Sequence, residues 1–265
     1  MILARLSAAI RAQNWFAVVL EFVIVIAGVV VGFQVSELAA TARDTAEEAR
    51  ALGRLRLESE AVVEFWTEDV ETAINRDRER IMLLRALETG LIPEGEEAAV
   101  YSGIERLYFY AALNPPRTVF DELLASGGLG RISDSDARAA VSEYADTLSF
   151  ITGQLLQFRT SVPDGMAAIE GHVFSRYDPS SATLRRFEYD IAALSGDRAF
   201  TSEIVNAARD QRVFLFFRMG VLGRALDMCE ALSRAEGTRC ATLQAGQRTL
   251  EATRNHLNEM REDSE

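Results

Sequence analysis

A carboxyl group within an apolar run, a pair of cysteines and two histidines are the residues of this chain whose types and spacing bear on chemistry. Glu21 lies in WFAVVLEFVIVIAGVVVGFQV, residues 15–35, with Gly28 and Gly32 downstream. At about 100° per residue, Gly28 and Gly32 fall within about 20° of the Glu21 direction and Val25 within about 40°. One helix face would then combine a carboxyl group with a small-xxx-small pair that lets two backbones approach. Cys229 and Cys240 flank a Glu236-Gly237 turn. In an oxidising compartment they can clamp two helices together, whereas in a reducing one they stay as buried thiols.

Other chemistries lose their usual residues. All 28 basic residues are Arg, and there is no Lys. A phosphate-binding loop, a kinase-type nucleotide site and a Schiff-base enzyme each rely on a lysine amine. His172 and His256 stand far apart, and no HExxH, CxxC or GxSxG pattern occurs. Asp134-x-Asp136 has the spacing of a metal pair, but an apolar period starts directly after it, so it reads as a helix cap. Gly127, Gly128 and Gly130 lack the Lys-Ser/Thr of a phosphate cradle and read as a helix-to-helix corner. The net charge of −12 repels phosphate backbones, so nucleic acid is not an expected partner. No acid, base and nucleophile converge, so we expect no enzyme activity, no cofactor and no metal.

These residues need elements to hold them. Pro accounts for 5 of 265 residues, roughly 2% against an average near 5%, which favours long helices. The expected fold class is all-α: an N-terminal transmembrane helix and then an antiparallel helical bundle with a long membrane-proximal helix. Residues 1–14 form a short tail, with Leu3, Leu6 and Ile10 at helical spacing, which can lie on the inner membrane surface or extend the spanning helix. Residues 15–35 match a bilayer core, at roughly 31 Å as a helix. Cleavage as a secretory signal is the competing fate, with Ala40-Thr41-Ala42 as the site. The apolar run is longer than a signal core, which favours an anchor. Arg5 and Arg11 precede the span and no acid occurs before Glu21, which favours a cytoplasmic N-terminus. The main domain is then expected in the periplasm of a Gram-negative cell, and the anchor in the inner (plasma) membrane.

Residues 36–51 read as a charged helical stalk and 52–262 as a helical extramembrane domain. Leu52, Leu55, Val62, Val63, Trp66, Val70, Ile74, Ile81, Leu84 and Leu87 follow a rhythm of three to four, broken by Asp69 and Asp77. Further helices are expected over 96–113, 119–125, from Ser133 or Asp134 to about 160, and over 166–174, 184–194, 199–235 and 238–262. Pro163 and Gly165 should kink or interrupt the chain, and Asn114-Pro115-Pro116 should end a helix. VFLFF at 213–217 is core or a buried partner face, because Arg212 and Arg218 leave it too short to cross a bilayer.

Two stretches carry a family resemblance. NWFAVVLEFVIVIAGVVVGFQV, 14–35, resembles the Trp-x4-LEF-apolar-Gly-x3-Gly-x-Gln span of a family of uncharacterised bacterial single-span membrane proteins. FDELLASGGLGRISDSDARAAVSEY, 120–144, is similar to that family's DEL-x2-SG-x-L helix corner, with Ala137 where a Leu often precedes the Arg. Together the two stretches cover under a fifth of the chain. The resemblance implies anchoring and helical architecture and brings no catalytic residues.

The expected function is a membrane-anchored, non-enzymatic structural or interaction protein. Its partners would be the lipid bilayer and either a second copy or another membrane protein, met through Glu21, Val25, Gly28 and Gly32. The alternative is an extracytoplasmic, ligand-binding, sensor-like helical domain without its own output module.

Overall fold

The computed structural model describes residues 15–262; the proposed tail, 1–14, and the last residues, 263–265, lie outside the described part. The fold is all-α apart from one hairpin. Helix α1 runs Trp15–Thr89, α2 Glu97–Glu105, α3 Thr118–Ala125 and α4 Ser135–Ile169. A hairpin of β1, Phe174–Tyr177, and β2, Arg185–Glu188, leads to α5, Ile191–Ser195, α6, Arg198–Glu236, and α7, Leu243–Glu262. The chain divides into two compact units between Arg50 and Ala51.

The first unit is helix without a core. From residue 19 to 47 every described side chain is exposed. Its apolar window has a mean hydropathy of 2.3, and none of it is buried. Among the described residues this is the one helix long and apolar enough to cross a membrane.

In the second unit, α4 and α7 pack along α6, and α5 closes against it. Capping chemistry sets several starts. Asp134 accepts from the Ala137 N–H at 2.8 Å, and Asp197 accepts from the Ala199 and Phe200 N–H groups at 2.9 and 3.0 Å, filling donors that a first turn leaves open. Helix α6 ends at Gly237, whose φ of 75° suits a residue without a Cβ, and the Thr238 N–H returns to the Ser233 carbonyl.

Four elements differ from the sequence reading. Helix α4 does not stop at Pro163 but continues to Ile169. Proline removes one donor, yet the last turns are held from outside: a Cβ at Gly165 would overlap the Tyr108 ring, so helix and ring are in direct contact. Of the expected helix 166–174, residues 166–169 belong to the end of α4, and of 184–194, residues 191–194 fall in α5, while the hairpin takes the stretch between. Its strands pair antiparallel with Phe174 opposite Glu188 and Tyr177 opposite Arg185, and Arg176 bridges to Glu188 at 2.8 Å. Strands of four residues are too short for alternation to stand out, and of the β2 side chains only Phe187 is buried.

The helix expected over 96–113 ends at Glu105, because other side chains take up the carbonyls that follow. Gln211 donates to Leu107 and Phe109, and Arg159 to Tyr110. The last helix begins at Leu243, not at Thr238, since Cys240 is drawn back toward α6.

The apolar interior falls into two clusters. One holds Trp66, Val70, Val141, Phe214, Leu222 and their neighbours; the other holds Leu83, Leu107, Ile191, Phe200 and Ile204.

Candidate functional site

In the first unit, Glu21, Val25, Gly28 and Gly32 recur along one face of α1, and all four are exposed. A Cβ built at Gly28 or Gly32 meets nothing within 4 Å. The backbone there is open to close approach by another helix, and Glu21 is the ionisable group among these four residues.

In the second unit, buried charge sits where the sequence pattern showed only interruptions. Asp77 is 2% exposed. Its carboxylate accepts from Arg212 at 3.3 and 3.0 Å, lies 3.1 Å from His256 Nε2, and is 3.5 Å from an Arg80 nitrogen. Two turns earlier on α1, Asp69 faces Arg218 at 3.0 Å, with the Arg218 guanidinium also over the Phe214 ring. Burial pushes the Asp69 carboxyl above its ordinary value, with Arg218 and Arg76 opposing it, and lowers Arg218 and Arg80. His256, with no ligand-like neighbour in sequence, is thus buried against a carboxylate 179 positions away. His172 is half-buried beside the Phe200 ring, 3.5 Å from Asp197. Asp77 with Arg212, Arg80 and His256, and Asp69 with Arg218, thus form two buried polar clusters that tie α1 to α6 and, through His256, to α7.

A second feature is a cavity of about 380 Å³ between α1, α3 and α4, with Met228 of α6 in its lining. Leu55, Glu58, Ser59 and Val62 share one face of α1, and Tyr144, Leu148 and Thr152 share one face of α4, at the spacing of helical neighbours. Glu58 builds the third wall. Arg117 at the start of α3 offers no side-chain cap, and the Glu58 carboxylate accepts from the Val119 and Phe120 N–H groups at 2.6 and 2.9 Å. Tyr144 lines the cavity, the Trp66 indole N–H donates to its hydroxyl at 3.1 Å, and burial pushes that phenol up to about 12. Sequence reading missed this cavity, because its lining is spread over positions 55–228 and each wall alone reads as ordinary core.

Cys229 and Cys240 form a disulfide, with Cα atoms 5.7 Å apart. Glu60 lies close enough to both sulfurs to form a three-ligand cluster, but two of the three donors are spent on the S–S bond. Glu60 instead accepts from the Ala241 N–H at 2.8 Å and pairs with Arg56, which also bonds Glu236. The α6–α7 turn is therefore fixed to α1 by charge and to α6 by sulfur. Closing a loop across 11 positions is worth about 3 kcal/mol in the chain-entropy account. Cys229→Ala with Cys240→Ala should lower the unfolding free energy of the full chain by about that amount in urea titration. A change below about 1 kcal/mol would show that the turn holds without the bond.

Asp134 and Asp136 do not converge on a site: Asp134 is committed to its cap, and Asp136 sits in the first turn of α4. Gly127 takes φ 69° at the corner after α3, and Gly128–Arg131 follow as a 3-10 turn. No protein-family model, curated protein or solved structure matches this chain.

Proposed function

We propose that this chain is a membrane-anchored, non-enzymatic interaction protein. Residues 15–35 cross the inner (plasma) membrane of a bacterium with the N-terminus in the cytoplasm, and the helical domain lies in the periplasm. Association runs through Glu21, Val25, Gly28 and Gly32, with a second copy or with another membrane protein. The observation that carries this reading is an apolar helical stretch, exposed at every described position, whose two glycines have open space above them. In water such a surface is a liability, while in lipid it is the expected state. The resemblance to a family of bacterial single-span proteins supports the same reading, as does the disulfide, which suits an oxidising compartment.

The test is self-association of the full chain in lipid nanodiscs, read by energy transfer between labelled copies. Gly28→Leu with Gly32→Leu should weaken association about tenfold, and Glu21→Ala should act in the same direction. Unchanged transfer in the triple variant removes the face from consideration. Extraction of the unprocessed chain by alkaline carbonate would remove the anchor itself.

A further inference from the structure

We infer that the cavity between α1, α3 and α4 binds an uncharged aromatic or branched apolar molecule carrying a carbonyl oxygen, with the Tyr144 hydroxyl as the donor. The volume, about 380 Å³, lies within the ~300–1,000 Å³ usual for small-molecule sites. Apolar walls come from Leu55, Val62, Phe120, Leu148 and Met228, and the cavity reaches the surface at Leu124, which is 58% exposed. A concave apolar surface with few polar groups selects an apolar body.

The polar groups then select its functional group. Ser59 and Thr152 turn their hydroxyls onto the carbonyls of Arg56 and Leu148 at 2.6 and 2.8 Å, within their own helices. Glu58 is occupied by the α3 N–H groups, and Arg117 grips both oxygens of Asp121. Tyr144 differs. It is 6% exposed and accepts from Trp66, but among the described residues no acceptor takes its own proton. A buried donor of this kind gains by meeting an acceptor, and a carbonyl supplies one without bringing charge. An anion would face Glu58 and Asp146, which also line the cavity, and a cation would leave the phenol proton unmatched. The inference does not depend on the anchor, since every lining residue lies between 55 and 228.

Benzophenone, a neutral aryl ketone that inserts into nearby C–H bonds under near-ultraviolet light, tests this on the full chain in lipid nanodiscs. Adducts are mapped by peptide mass spectrometry. Labelling of Met228 and of the 144–152 peptide should saturate with probe, whereas labelling of residues 15–35 from the bilayer should not. Ser149→Trp, which places an indole in the opening, should abolish the saturable adducts and leave the others. Tyr144→Phe should weaken them about fivefold, the effect of one net hydrogen bond. Should Tyr144→Phe not fold, competition on the native chain decides: phenyl benzoate should displace the probe about fivefold better than diphenylmethane, which lacks the carbonyl. Adducts at the cavity that do not saturate, that survive Ser149→Trp, or that ignore both the phenol and the carbonyl would overturn the inference. None of these outcomes bears on whether residues 15–35 anchor the chain.

Discussion

Asp77→Ala should lower the thermal midpoint of the full chain by about 10 °C. The effect is electrostatic. Asp77 is the shared counter-ion of Arg212 and Arg80 and a hydrogen-bond partner of His256, and it is buried to 2% exposure. Removing one partner of a buried pair costs about 3–5 kcal/mol, because the cations left behind have lost their water and gained nothing. In a domain of this size each kcal/mol moves the midpoint by about 2–4 °C. Arg212 is the most exposed of the three, with a side chain 36% accessible, so part of its charge can return to solvent. Arg80 cannot: it is 3% exposed, and two of its guanidinium nitrogens already lack a hydrogen-bond partner. Asp77→Asn, which keeps the shape and loses the charge, should fall between wild type and Asp77→Ala. A drop of less than about 2 °C for Asp77→Ala in calorimetry would mean that the network is not stabilising.

Trp66→Ala should cost about 3–5 kcal/mol, the range for deleting a large buried aromatic side chain. Trp66 is fully buried, packs edge-on against Phe65 at 5.2 Å between ring centres, and donates its indole N–H to Tyr144. It thus joins the larger apolar cluster to the wall of the cavity. Trp66→Phe keeps most of the apolar area and should recover most of the loss, leaving about 1 kcal/mol for the missing hydrogen bond. Urea titrations of both variants separate the two contributions. If alanine cost no more than phenylalanine, packing at this position would not be what holds α1 to α4.

Much of this architecture can be read from the sequence, for local reasons. A helix start that depends on one carboxylate three residues before a donor is visible, as at Asp134. The stripe from Leu52 to Leu87 is visible because burial repeats with the helical turn, and nearly all of its members are core. Asp69 and Asp77 break that stripe for a reason no local window contains. Their partners, Arg218 and Arg212, stand on α6. A charged residue at a core position reads as an interruption until its counter-ion is known. The hairpin at 174–188 escapes notice because two four-residue strands offer too little alternation, and Pro163 misleads because Tyr108 supports the helix beyond it. The membrane face is the opposite case: its spacing is wholly local and can be read in full, while its partner lies outside the chain. The cavity is the least legible part, being assembled from four separated segments.

The bond between Cys229 and Cys240 also changes what a broken backbone would mean. A protease that cuts anywhere from 230 to 239 severs the main chain without releasing α7, because the sulfur bridge spans the gap. The two pieces would still migrate as one molecule until a reductant is added, and the terminal helix would stay tethered beside its own docking groove.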